Sequence, residues 1–377
     1  MDKKKIAHSI MNLAESLESG VLKDNIKIAV TNFGSELGVE NVNEAILASK
    51  SALFDIVVVG TPLEGFESYE ACGDDEVAKV LEDLFNKGEI QAAVTMHYPF
   101  PIGVSTVGKI ITPAFGKEVF LATTTGTTHA KREKAMILNA INGIVVAKAN
   151  GIENPSLGIL NIEGAVTVEK KLKELKENGF DINFASSKRS DGGSLLRGND
   201  LVAGVPDILV CDSLTGNVLV KTFASYTSGG FYETTGYGYG PSVGQGYDKA
   251  VFIVSRASGA PVIKNAISYA YDSVKGDLVK LSKTYYEKAK AAKLDEILES
   301  LDDKAKEDLP QAPMPDKEIV TESIGGIDIL EIENAVQALW AEKIYAESAM
   351  GCTGPMVMVS SANIAKSKEI LENKGFI

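Results

Sequence analysis

The sequence predicts an α/β protein built on a largely parallel sheet, and three observations carry that expectation. Short apolar, β-rich runs recur along the chain as far as Tyr271. Segments with helical spacing fill the intervals between them, and a polar turn follows strand after strand. In such sheets ligands sit at the carboxyl ends of the strands, so those turns are where function is sought.

In order, Ile6–Leu22 reads as an amphipathic helix, interrupted by His8, Asn12, Glu15 and Glu18 and so unlike a signal sequence. Ile26–Val30 is the first strand; a polar turn, Asn32–Ser35, and a helix from near Val39–Asn43 follow, with Val42, Ala45 and Ile46 on one face. Phe54–Val59 is the second strand, ended by Gly60-Thr61-Pro62. Glu76–Asn86 is a helix and Ala92–Thr95 a third strand. Pro99, Pro101 and Gly103 make a loop leading into Ser105-Thr106-Val107-Gly108-Lys109, which is assigned no element. Val119–Thr123 is a strand running into Thr123–His129, the richest hydroxyl cluster in the chain. The long helix from about Lys131 to Asn150 has a wide apolar face, and Gly151 ends it as a C′ glycine does.

Ser156–Ile162 is a strand, Val168–Asn178 a helix with a solvated lysine face, and Asp181–Ser186 a further strand. Ile208–Cys211 is a short buried strand that feeds a helix through Asp212-Ser213-Leu214-Thr215-Gly216-Asn217. Glycines crowd from Ser228 to Gly246 with Tyr226, Tyr232, Tyr237, Tyr239 and Tyr247 among or beside them. With an acidic chain, an ordered loop or interface is the better reading than base stacking. Val251–Val254 is a strand, and Ser255–Ala260 precedes the helix Val262–Tyr271. Composition then shifts to Lys, Glu, Ala and Leu as far as Asp308, and Pro310, Pro313 and Pro315 mark a crossing loop. Leu330–Tyr345 is an amphipathic helix with Trp340, Met350–Pro355 a tight turn, Met356–Ser360 an apolar run and Ala362–Lys374 a closing helix. The expected division is an N-terminal helix at 1–25, an α/β body at 26–275, a helical, Pro-containing connection at 276–320 and a C-terminal segment at 321–377.

The bulk properties exclude several classes. The chain has 377 residues, 45% hydrophobic and 24% charged, with a formal net charge of −13. That balance is globular and argues against nucleic acid or an anionic membrane as the main partner. No apolar run approaches a membrane span. Cys72, Cys211 and Cys352 are widely spaced, which fits a reducing cytoplasm. No pair has metal-ligand spacing, and His8, His97 and His129 are scattered, so neither a metal nor a cofactor is expected. No Walker loop or dinucleotide fingerprint is present.

Two stretches can carry chemistry. A Gly/Ser/Thr/Asn turn between a strand and a helix offers backbone N–H groups and the positive helix end to an anion. The alternative for 212–217 is an ordinary capped helix start. Cys352 lies between Gly351 and Gly354 with Pro355 beyond, a setting that favours a thiolate and cradles an oxyanion. The alternative is a small buried residue, which free cysteine often is. Cys211 reads as the buried kind, and Cys72, in an acidic turn, as incidental.

The stretch C-D-S-L-T-G-N-V-L-V-K from Cys211 resembles the late motif of the PlsX-type phosphate acyltransferases, which make acyl phosphates from carrier-bound acyl groups. Gly143–Ile162 resembles that family's G-x-x-Y-A-x-x-x-x-G-I-x-N-P-x-V-G-L-L-N-I stretch. Ile28–Ile46 is similar to its opening motif, with Thr31 in place of an aspartate and Val39 in place of a proline. Ser255-Arg256 resembles the substrate-binding Ser-Arg pair of phosphotransacetylases, although the acid that follows it there is absent and Val262 falls near its position. A PlsX-like body followed by M-G-C-T-G-P resembles, over the whole chain, the alpha subunits of component C of glycine/sarcosine/betaine reductase complexes.

The resemblance implies a three-layer α/β/α fold of phosphotransacetylase and isocitrate-dehydrogenase-like architecture with a helical C-terminal extension. It implies formation of acetyl phosphate by phosphorolysis of an acetyl thioester on Cys352. Phosphate would be held by Asp212, Ser213, Thr215, Gly216, Lys221, Ser255 and Arg256, with Asn217 at the oxyanion. Implied partners are inorganic phosphate, the acetyl group, a component C beta subunit, the carboxymethyl-selenocysteine protein (component A) and further copies of the chain. Two other readings stay open: a phosphate acyltransferase using a pantetheine carrier, and a non-catalytic scaffold subunit.

Overall fold

A computed structural model describes residues 25–113, 115–189, 192–302, 312–327, 331–351 and 354–377. The elements, in chain order, are β1 (Lys27–Thr31), α1 (Val39–Ala48), β2 (Asp55–Gly60), β3 (Glu67–Glu70), α2 (Asp74–Asn86), β4 (Ala92–Thr95), β5 (Val104–Ile111) and β6 (Glu118–Thr127). Then come α3 (Arg132–Ala149), β7 (Ser156–Leu160), α4 (Ala165–Glu177), β8 (Asn183–Phe184), β9 (Leu195–Leu196), α5 (Gly198–Val202), β10 (Ile208–Val210) and α6 (Ser213–Ser225). β11 (Gly240–Gly244), β12 (Val251–Ile253), α7 (Ala260–Lys275), α8 (Leu278–Ala291) and α9 (Leu294–Glu299) complete the body. The tail holds β13 (Glu322–Ile324), α10 (Ile332–Ala341), β14 (Ala346–Gly351), β15 (Gly354–Val359) and α11 (Ile364–Asn373). The expected helix at residues 6–22 and the residues at Pro310 lie outside the described residues.

Twelve strands form one sheet in the order β3-β2-β1-β4-β12-β11-β5-β6-β10-β7-β8, with β9 also on β7. Most neighbours are parallel; the exceptions are β12 with β11, β11 with β5 and β5 with β6. Those three antiparallel steps reverse direction an odd number of times. The strands β6, β10 and β7 therefore point opposite to β1, β4 and β12, and the two groups end at opposite edges of the sheet.

Period-two side-chain alternation builds the two cores. Ile28 and Val30 of β1, Ile56 and Val58 of β2, and Ile208 and Val210 of β10 face α1, α3, α4, α7 and α8. Ala29, Val57 and Leu209 face the other way, toward α2 and α6. The result is the three-layer α/β/α arrangement with a largely parallel sheet. The expected wide apolar face of α3 proves to be nearly the whole helix, from Met136 to Ala147, because it is enclosed between the sheet and α8. Asn150 caps it and Gly151 follows with φ 85°.

Several strands differ from expectation. Residues 105–109 belong to β5, a buried strand in which Ser105, Thr106 and Lys109 are satisfied by partners elsewhere in the chain. The glycine-rich stretch contains β11, so its end is sheet interior. The strand expected at 181–186 is only Asn183–Phe184. Beyond the helices α8 and α9, the extension forms a three-stranded antiparallel sheet, β13-β15-β14, with its own apolar cluster around Ile324, Leu339 and Val357. In it Gly351 pairs with Gly354; Cys352 and Thr353, the two residues between them in sequence, lie outside the described residues. Among the described residues, no helix is long and apolar enough to cross a membrane.

Candidate active site

The turn from β10 into α6 closes on itself. Asp212 is extended and is the N-cap of α6; its Oδ1 accepts the Leu214 and Thr215 N–H groups, both at 3.0 Å. Its Oδ2 accepts the Thr215 hydroxyl at 2.6 Å, and its carbonyl accepts the Gly216 N–H at 3.0 Å. A carboxylate thus already meets the positive end of this helix. The Asn217 amide donates to the Thr124 carbonyl at 3.0 Å. Gly216 lets α6 lie directly on β6: a Cβ there would stand 1.7 Å from the Thr123 carbonyl oxygen. Cys211 is buried behind the turn, and burial, with the neighbouring Asp212 charge, pushes its thiol up to about 12. Ser213 is partly buried, and Lys221 is exposed two turns along the helix.

The turn from β12 into α7 is different. The Ser255 Oγ accepts the Ala257 N–H at 3.1 Å, and the Ser255 N–H donates to the Ser258 Oγ at 3.0 Å. Arg256 reaches outward, donating to Asp74 Oδ2 at 2.8 Å and Oδ1 at 3.1 Å, and to the Gly34 carbonyl at 3.2 Å. Its side chain is 39% exposed and that of Asp74 42%. Asp74 opens α2 and lines a surface pocket of about 630 Å³ with Cys72, Lys79 and His97. Asn41 of α1 holds the same turn, accepting the Ala260 N–H at 2.8 Å and donating to the Ser258 carbonyl at 3.1 Å. Asn32, just after β1, ties that strand end to Thr61, just after β2, and donates to the Asn43 side chain of α1. The first turn of α7 has no acidic residue.

These two turns lie at opposite edges of the sheet, because β10 and β12 run in opposite directions. Helix α6, about 20 Å long at 1.5 Å per residue, leads away from the first toward the second. The structure therefore gathers Asp212, Ser213, Thr215, Gly216 and Asn217 at one edge and Ser255 and Arg256 at the other. Cys352 lies outside the described residues. His129 takes the Lys131 N–H on Nδ1 at 2.9 Å as α3 starts, whereas His97 is exposed in the pocket beside Asp74. Sequence reasoning did not find Asn41, Asp74, Glu233 or Ser258. Each has a partner distant along the chain that its local sequence does not announce; Asp74 stands in an acidic run with Asp75 and Glu76, and the one local signal is a lone acid, Glu233, among aromatic, Gly and Thr residues.

Known proteins narrow the class that this fold and these turns define. The family described as Fatty acid synthesis protein matches residues 26–358. The phosphate acyltransferase of Thermotoga petrophila is 27% identical over 237 residues, 53% of this chain and 68% of that enzyme. Among solved structures, a branched-chain phosphotransacylase from Enterococcus faecalis V583 covers 66% of this chain and 99% of its own, at 17% identity and a TM-score of 0.46. The chain belongs to the Fatty acid synthesis protein family, and its body is that of a PlsX-like acyltransferase. Over its full length, tail included, it is similar to the glycine/sarcosine/betaine reductase complex component C subunit alpha of Peptoclostridium acidaminophilum. That protein is 48% identical over 380 residues, 100% of this chain and 99% of its relative.

Proposed function

We propose that this chain is a cytoplasmic acyltransferase that forms acetyl phosphate from an acetyl thioester carried on Cys352, as the alpha subunit of a reductase-type component C. The observation that carries this reading is the full-length similarity to such a subunit, which runs through the tail bearing Cys352. The match to the phosphate acyltransferase of Thermotoga petrophila covers little more than half of the chain.

In the proposed cycle the Cys352 thiolate attacks the carbonyl of an activated acetyl group, the donor's leaving group departs and Cys352 becomes an acetyl thioester. The two-electron reduction that makes this acetyl donor from a carboxymethyl-selenocysteine protein is assigned to the partner components and their thiols. A phosphate oxygen then attacks the thioester carbonyl, the C–S bond breaks, the thiolate leaves and acetyl phosphate is released. Holding the two reactants together removes about 7–11 kcal/mol of entropic barrier when they are well oriented. For phosphate we favour Ser255 and Arg256 over the 212–217 turn. The Arg256 guanidinium is a fork suited to phosphate, and its present partner is a half-exposed carboxylate. A pair of that kind contributes about 0–1 kcal/mol, so exchanging Asp74 for phosphate costs little. At the other turn Asp212 takes the helix N–H groups and adds negative charge. There Asn217 and its neighbours serve to pin α6 to β6. A component C beta subunit and further copies of the chain are the proposed standing partners.

The test supplies the full chain with acetyl phosphate and arsenate, since acetyl arsenate hydrolyses spontaneously and drains a reversible acetyl-enzyme. Wild type is expected to consume acetyl phosphate, and Cys352→Ala and Cys352→Ser to fall to background. Turnover that survives both substitutions would instead indicate a pantetheine-type acyltransferase. An inert wild-type chain would indicate a scaffold.

A further inference from the structure

The turn that presents Ser255 and Arg256 is gripped from behind by a carboxylate that belongs to none of the recognised motifs. Glu233 enters from the glycine- and tyrosine-rich stretch between α6 and β11 and is 3% exposed. Its Oε2 accepts the Ser258 hydroxyl at 2.6 Å, and its Oε1 accepts the Tyr239 phenol at 2.7 Å. The Ser258 oxygen in turn accepts the Ser255 N–H at 3.0 Å. The main chain repeats the link: the Glu233 N–H donates to the Ala257 carbonyl at 3.0 Å, and the Gly259 N–H donates to the Glu233 carbonyl at 2.8 Å. Residues 233 and 258 also form a parallel β-bridge.

A buried carboxylate without a cation is costly unless its oxygens accept strong hydrogen bonds. Among the described residues Glu233 forms no ion pair, and two hydroxyls do that work. Both hydroxyls belong to the frame of the Ser255 turn: Ser258 takes the Ser255 N–H, and the Tyr239 N–H donates to the carbonyl of Ile253, the last residue of β12, at 2.8 Å. Burial and then Glu233 itself push that phenol well above its ordinary pKa, so it stays a donor. A glutamine at 233 cannot accept from both hydroxyls. Its NH₂ would face either Ser258 or Tyr239, whose hydroxyl would then have to accept instead of donate, so one of the two bonds that hold the side chain in place is reversed or lost.

We infer that Glu233 is a positioning residue for phosphate binding at Ser255 and Arg256, acting through Ser258. The helix that follows this turn lacks an acid in its first turn, and Glu233 supplies a carboxylate from another part of the chain. The inference rests on the reading of Ser255 and Arg256 as the phosphate subsite.

The experiment measures phosphate-dependent turnover of the acetylated full chain for wild type, Glu233→Gln, Glu233→Asp and Ser258→Ala. Glu233→Gln is expected to raise the KM for phosphate about tenfold with kcat within about threefold, and Ser258→Ala to move KM the same way, as loss of ground-state positioning does. Glu233→Asp should recover part of the loss. Ser258→Ala keeps the carboxylate and serves if Glu233→Gln does not fold. A KM within about twofold of wild type in both Glu233→Gln and Ser258→Ala, or a loss confined to kcat, overturns the inference. Should wild type show no phosphate-dependent turnover, the subsite reading fails, and amide exchange then decides the positioning. The Ser255 N–H must exchange about tenfold faster in Ser258→Ala and Glu233→Gln than in wild type; equal rates overturn it.

Discussion

Asp212, Arg256 and Asp200 are charged residues held in three different ways, and the differences set what each can do. Asp212 is committed to N–H groups of its own helix, whereas Arg256 holds a partner it can release. Asp200, at the start of α5, is 4% exposed and accepts the N–H groups of Arg197 and Lys188 and the Ser187 hydroxyl. Burial alone would raise its pKa, but those bonds outweigh it and hold the carboxyl below its ordinary range. The folded state therefore favours the ionised form. The resulting stability is present above the ordinary carboxylate pKa of about 4 and is lost as pH falls through the lower folded value. Asp200→Asn should weaken the chain at neutral pH, with the gap to wild type narrowing in acid, as read by urea unfolding at several pH values. A gap that does not change with pH would contradict this account.

Helices and strands differ in how openly their sequence states their place. The strands β1, β2, β4 and β10 were legible because unbroken apolar runs need no partner to be recognised. α3 was legible from its spacing, although its full enclosure was not, because a neighbouring helix supplies the second apolar wall. β5 was hidden because its polar residues are buried by pairing: Ser105 with Asn139, and Thr106 with Thr124. β11 was hidden because glycine there allows close backbone approach; a Cβ at Gly240 would stand 1.7 Å from the Val107 oxygen. Of the candidate site, the polar turns after β10 and β12 were legible, and their separation was not, because it depends on strand direction. Gly216 tests the packing of α6 directly. Gly216→Ala should destabilise by about 2–4 kcal/mol, the range of severe overpacking. Gly198→Ala, where nothing lies within 4 Å, should be neutral or slightly stabilising. Similar urea midpoints for the two variants would mean that α6 does not rest on β6 as described.

At the scale of the molecule, three antiparallel steps in the middle of one sheet make two strand groups that end at opposite edges. One edge carries Arg256, Asp74 and an open pocket, and the other carries a helix start whose hydrogen bonds are already taken. The tail adds a small sheet with a core of its own, which we propose is a separate module presenting Cys352 to the body. In that proposal the labour is divided, with phosphate bound by the body and the acyl group carried by the tail. The most direct measurement is to treat the full chain with isotope-labelled acetyl phosphate, digest it, and locate the label by mass spectrometry. A base-labile acetyl group is expected on the peptide containing Cys352, with Cys72 and Cys211 unlabelled. Label on Cys72, or none on the Cys352 peptide, would contradict it.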